Sequence, residues 1–171
     1  MNTMKKRNDF HKVVIGRAEE LTFVMPMVPD VPSKVDTGAY RSAVHATNIT
    51  LSKDKKLLSF ELLGGHPVCG TLSQPHAVES FKQVEIANSF GHKELRYEVR
   101  LKVKMGPKVF TSAFTLADRS KKIYPVLIGR KFLNDRFLID TSETSINRIE
   151  LKSKYGISFP ADEEDGRDEG L

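Results

Sequence analysis

Apolar and polar positions along this chain alternate in short runs bounded by Gly, Pro or Asn, and long helical spacing is scarce. Such alternation, rich in β-branched residues, predicts a many-stranded β protein. Val13-Val14-Ile15-Gly16 begins the first run, and Leu21 to Met27 forms the second. Pro26, Pro29 and Pro32 then punctuate what reads as a turn-rich approach, after which Ser-Lys-Val runs straight into Asp36. Leu57 to Leu63 alternates and stops at Gly64-Gly65. Gln83 to Ala87 and Tyr97 to Val103 read as two arms of a hairpin, with Asn88 to His92 near its tip. Met105 to Lys108 makes a tight turn into Val109 to Leu116. Ile123 to Ile128 is almost wholly apolar and predicts a buried strand, Arg130 to Asn134 one helical turn, and Phe137 to Asp140 a further short strand. No internal repeat is present. The expected architecture is all-β, closed or nearly closed into a barrel so that few sheet edges stay exposed.

Composition narrows this picture. With 171 residues, 39% of them hydrophobic and 29% charged, the chain suits one globular domain, expected over 11–159. No apolar run approaches the roughly 20 residues that span a bilayer. The basic start, residues 1–10, is expected to be flexible and lacks the apolar stretch of a secretory signal. A lone Cys69 has no internal disulfide partner, which fits a reducing compartment and makes the cytoplasm the expected location.

Charge is unevenly spread. The net charge is +5, yet residues 161–171 hold six acids and one arginine. That leaves +10 on the rest, and residues 160–171 read as a disordered acidic tail. A basic body attracts an acidic partner, although a scatter of solvated lysines gives the same count. Nucleic acid is disfavoured, because the basic residues lack interleaved aromatics and Trp is absent.

Two segments carry candidate chemistry. Val35-Asp36-Thr37-Gly38-Ala39 places a carboxylate at the end of an apolar strand, followed by a hydroxyl residue and a glycine that permits a sharp turn. Taken alone, D-T-G also describes an Asp that caps its own loop. Ile123 to Arg130 brings a second apolar strand to Gly129 and a short helical turn, well placed to pack beneath the first. Of the histidines, His66-x-x-Cys69 with His76 has the residue types of a metal site, but there is no H-E-x-x-H and no compact pairing of ligand motifs. Loop histidines on a basic surface are the plainer reading, so no metal and no cofactor is expected. Cys69 beside Gly70 reads as a small packed residue without a base to activate it.

Taken together, VDTGA followed by LIGR resembles the aspartic peptidases of the retropepsin class, with a glycine-bearing hairpin between them where that class keeps its flap. The likeness tightens to a bacterial and archaeal family first labelled ATP-dependent zinc proteases and later recognised as retropepsin-like. In that family an IGR strand precedes KVDTGA and SALHA, then SGH.E.RY, then LLGR and FLVD. Here those stretches read Ile15-Gly16-Arg17, Lys34 to Ala46 with SAVHA, Phe90 to Tyr97, Leu127 to Arg130, and Phe137 to Asp140.

The resemblance implies a closed six- to seven-stranded barrel of the acid-protease type, with one short helical turn after Gly129. It also implies a homodimer in which two Asp36 carboxylates share a proton and activate a water. Thr37 would hold the partner's turn and Gly38 would allow the close contact. Ala39, Ser89, Phe90, Gly91, His92, Glu94, Ile128, Gly129 and Arg130 would form the flap and floor of the peptide channel. The family further resembles partners of ATP-grasp ligases that add glutamates to protein tails, which implies an acidic peptide substrate. The readings held beside this one are a dimeric barrel that binds peptide without cutting it and, behind it, a zinc metallopeptidase. One departure stands out. Relatives carry arginine directly after DTGA, whereas here Tyr40 comes first and Arg41 second, and retroviral relatives pair the arginine after the second glycine with an acid. What Arg130 meets here is left open by the sequence.

Overall fold

Side chains on strand positions 99, 101, 103 and 105 are all buried while Arg100, Lys102 and Lys104 face outward, so the alternation read in the sequence does mark the inner face of a sheet. The computed structural model describes residues 11–87 and 90–158. Its strands are β1 (Val13–Ile15), β2 (Ala18–Met25), β3 (Met27–Val35), β4 (Ser42–Leu51), β5 (Leu58–Leu62), β6 (Gln74–Val78), β7 (Phe81–Ala87), β8 (Lys93–Met105), β9 (Lys108–Ala117), β10 (Val126–Ile128) and β11 (Phe137–Ile139). Two helices join them, α1 (Arg130–Leu133) and α2 (Arg148–Tyr155).

Six strands close a ring in the order β10-β3-β2-β8-β9-β4, and β4 returns to β10 through Val44↔Val126 and Ala43↔Leu127. This is the closed six-stranded barrel expected. β5 and β6 extend it beyond β4, β7 pairs with β8 as the anticipated hairpin, and β1 lies parallel to β11 in a separate pair. Closure gives each ring strand two partners and removes free edges. The interior is filled by Phe23, Phe114 and Phe132, with Phe23–Phe114 centroids 5.8 Å apart and Phe114–Phe132 6.1 Å apart, edge to face.

The structure corrects three local expectations. The segment through Pro29 and Pro32 is not turn-rich; it is the body of β3. β10 meets β3 only at Ser33 to Val35, so the preceding prolines lie where one edge of the strand lacks a described partner and a missing N–H costs little. The run from Ile123 shortens to a strand of Val126–Ile128, because Ile123 and Tyr124 pack against Ala18, Leu151 and Ile157 beneath α2. α2 itself was not anticipated beside the single turn of α1. Asn147 caps it by accepting from the Ile149 and Glu150 N–H groups, and Gly156 ends it at φ 62°.

Candidate active site

β3 delivers the chain into the turn Asp36–Ala39. The parallel pairing of Val35 with Ile128 continues one step further, as the Asp36 N–H donates to the Ile128 carbonyl at 2.9 Å. The turn then closes on its own carboxylate: the Gly38 and Ala39 N–H groups donate to Asp36 Oδ1 at 2.9 and 3.2 Å. Among the described residues the hydrogen bonds to this carboxylate all go to Oδ1. Asp36 and Ala39 are half-buried, while Thr37 and Gly38 are exposed.

The second motif supports the first from below. The Arg130 and Lys131 N–H groups donate to the Ala39 and Tyr40 carbonyls at 2.8 and 3.0 Å, and the Gly129 N–H donates to the buried Ser42 hydroxyl at 3.0 Å. Only glycine fits at 129: a Cβ there would lie 2.5 Å from the Arg41 carbonyl oxygen. Arg130 Nη1 donates to the Thr37 and Gly38 carbonyls at 2.9 and 2.8 Å, and its guanidinium carbon sits 5.9 Å from the Tyr40 ring centroid. Two carbonyl dipoles and an aromatic face thus receive this cation where retroviral relatives use an acid.

Beside the turn lies a groove of about 360 Å³, bounded by Gly38, Ala39, Arg41 and Leu127 on one side and by Ile86 and Arg96 of the β7–β8 hairpin on the other. Arg41 reaches from it to Glu98, a carboxylate only 4% exposed. Lys82 approaches Glu98 at 3.1 Å and Lys131 at 3.9 Å. Burial raises the Glu98 pKa, but the Lys82 and Arg41 hydrogen bonds and the charges of Arg41 and Lys131 outweigh it and hold the carboxyl below its usual range. Arg96 is paired with Glu94 at 2.8 Å.

The sequence-predicted site residues fall into two groups. Asp36, Thr37, Gly38, Ala39, Gly129 and Arg130 come together as one hydrogen-bonded unit. Ile128 belongs to it through its carbonyl, its side chain being fully buried in the core. Phe90, Gly91, His92 and Glu94 occupy the exposed hairpin end, with Gly91 at φ 79° and Phe90 87% exposed, and they do not line the groove. Ser89 lies outside the described residues. Arg96 and Glu98 were not singled out from the sequence, and Arg41 was noted there only for its place after Tyr40. Their signal was the charged triplet Arg96, Glu98 and Arg100 at strand period two, which marks a polar face on β8.

The histidines have structural work. His45 and His66, both buried, stack edge to face with centroids 5.1 Å apart. His45 Nε2 donates to the Gly64 carbonyl and its Nδ1 accepts from the Arg119 N–H. His66 Nε2 faces the Arg119 and Lys122 carbonyls, both at 3.0 Å, while Nδ1 accepts from the Val68 N–H. Through these bonds the two rings hold the loops before β10. Burial pushes the Cys69 thiol up to about 12, far from a reactive thiolate. Among the described residues no three His, Cys, Asp or Glu side chains converge as metal ligands, and no helix is long and apolar enough to cross a membrane.

The chain is similar to several known proteins. A Shewanella halifaxensis protein named probable alpha-L-glutamate ligase is 30% identical over 155 residues, which is 86% of this chain and 33% of that protein. A Desulfotalea psychrophila protein of the same name is 33% identical over 138 residues, 77% of this chain and 29% of that protein. The chain thus spans about a third of the length of these curated relatives. A crystal structure of a Legionella pneumophila protein of unknown function superposes with TM-score 0.61 at 27% identity, covering 77% of this chain and 95% of that one. The family described as retropepsin-like aspartic endopeptidase RimB matches residues 14–150, a span that takes in the Asp36 turn, the β7–β8 hairpin and the Gly129-Arg130 support. The chain belongs to the RimB-like family of retropepsin-like aspartic endopeptidases.

Proposed function

We propose that the protein is an aspartic endopeptidase that works as a homodimer, each subunit giving one Asp36. The observation that carries this reading is the single half-buried Asp36 carboxylate, held through Oδ1 by its own turn, with Thr37 and Gly38 exposed beside it. One such carboxylate is half of a two-aspartate site. In a facing pair the two groups share a proton, since both cannot ionise at close range. The ionised Asp36 takes a proton from water as the water oxygen attacks the peptide carbonyl carbon. The protonated Asp36 donates to the carbonyl oxygen. Breakdown of the tetrahedral intermediate returns a proton to the leaving amine and breaks the C–N bond. Exposed Thr37 hydroxyls would tie the two turns together, and the β7–β8 hairpin would hold the peptide as an extended strand.

An acidic, glutamate-rich peptide is the proposed substrate. The glutamate-ligase name of the longer relatives supports it, and Arg41 and Arg96, which line the groove together with Glu85, are the cations there that an acidic side chain could meet. The test is mass spectrometry of glutamate-extended peptides incubated with wild type and with Asp36→Ala, with and without chelator. Wild-type cleavage that disappears in Asp36→Ala and ignores chelator is expected. Cleavage that survives the substitution would refute the mechanism, and no cleavage with retained peptide binding would leave a non-catalytic barrel. Titrating wild type with Asp36→Ala subunits tests the dimer: shared sites lose activity faster than dilution alone accounts for.

A further inference from the structure

Glu98 stands where the β7–β8 hairpin leaves the barrel. Its pairing with Thr115 is the last that joins β8 to β9, and beyond it residues 93–97 pair, among the described residues, only with β7. Burial falls away along the same path. Val99 and Glu98 are buried, Tyr97 and Arg96 half-buried, and Leu95, Glu94 and Lys93 exposed. A strand pair with one partner each and little buried surface is the part of a sheet that opens at low cost. The angle at which the hairpin leaves is therefore decided at its base.

At that base lies the one carboxylate buried among the described residues. Glu98 Oε1 is 3.1 Å from Lys82 Nζ and 3.9 Å from Lys131 Nζ, and its Oε2 accepts from Arg41 Nη1. Lys82 belongs to the hairpin, as the direct cross-strand partner of Glu98. Arg41 and Lys131 belong to the support of the Asp36 turn: the Arg41 carbonyl packs on Gly129, and the Lys131 N–H donates to the Tyr40 carbonyl at 3.0 Å. One carboxylate thus joins the hairpin to both segments that hold the turn. Charge-assisted hydrogen bonds are directional, so they fix an orientation that an apolar contact would let slide. We propose that Glu98 is a positioning residue, whose bonds to Lys82, Arg41 and Lys131 set the width of the groove between the Asp36 turn and the hairpin. The proposal rests on the reading of that groove as a peptide cleft. Opening of the hairpin is then confined to residues beyond the Lys82–Glu98 pair, and the base stays fixed on the turn.

The first test is amide hydrogen exchange on the full-length protein, comparing wild type, Glu98→Gln and Val103→Ala. Val103 is buried in the barrel further along β8, so its truncation lowers global stability without touching the clamp. Exchange at residues 83–87 and 93–97 should be about tenfold faster in Glu98→Gln and unchanged in Val103→Ala, because the hairpin exchanges by local opening. Hairpin rates unchanged in Glu98→Gln, or raised as much in Val103→Ala, would overturn the positioning role. The second test is steady-state cleavage of a glutamate-extended peptide. In Glu98→Gln the KM should rise about tenfold with kcat within about twofold of wild type, the sign of a peptide held less well rather than of slower chemistry. A fall in kcat at unchanged KM would overturn the assignment to the hairpin. Faster hairpin exchange in Glu98→Gln, in a protein whose wild type cleaves nothing, would sustain the clamp and sink the peptidase reading. Wild-type cleavage with hairpin exchange indifferent to Glu98→Gln would do the reverse, so the two readings fail separately.

Discussion

Lowering the pH from neutral protonates histidines in the unfolded chain well before it protonates His66 in the folded one. Burial first, then the neighbouring His45, lowers the His66 pKa from 6.5 to about 4, with the Arg119 and Lys122 carbonyls only partly opposing them. Between those two values the unfolded state binds a proton that the folded state does not, so stability is intact at pH 7 and falls as pH drops from 6.5 to 4. At 1.36 kcal/mol per pKa unit the loss from this one ring is about 3 kcal/mol, a large part of a typical domain's stability. A protonated Nδ1 would also point an N–H at the Val68 N–H that it now accepts from. Urea unfolding of wild type and His66→Gln, each at pH 7 and pH 4.5, isolates the effect. Carboxylates such as Glu98 titrate in both proteins and cancel in the difference. Wild type should lose about 2 kcal/mol more than the variant between pH 7 and pH 4.5, and the His66 ring signal should titrate near 4 by NMR. Equal losses in the two proteins, or a ring that titrates near 6.5, would refute the reasoning.

Two further substitutions test the site's support. Gly129→Ala puts a methyl 2.5 Å from the Arg41 carbonyl and should cost about 1–3 kcal/mol while shifting the Asp36 turn; an unchanged melting temperature would contradict the close packing. Glu98→Gln weakens the pairing of Arg41, Lys82 and Lys131, all partly exposed, and should destabilise by about 1–2 kcal/mol, with Arg41→Met in the same chain recovering part of the loss in a double-mutant cycle.

Much of the barrel was legible because strand period and turn residues are local signals. The β7–β8 hairpin, the Gly106 turn into β9 and the single turn of α1 follow from residues within a few positions of one another. α2 was missed because its caps, Asn147 and Gly156, flank a helix with little apolar spacing, where only Leu151 of the helix packs inward. β3 was misread because proline is a reliable turn signal only when both strand edges are to be paired, and the pairing of an edge is a tertiary fact.

By itself the sequence determined the β architecture, the Asp36-Thr37-Gly38 turn and the need for glycine at a second point near the end of the domain. Those properties depend on side-chain period and backbone freedom, which short stretches encode. Only the tertiary structure decided what these parts touch. Arg130 meets the Thr37 carbonyl across 93 residues, Gly129 meets Ser42 across 87, and Arg41 meets Glu98 across 57. Contacts of that separation exist because ring closure brings distant strands side by side, and no local pattern records which strand will be the neighbour.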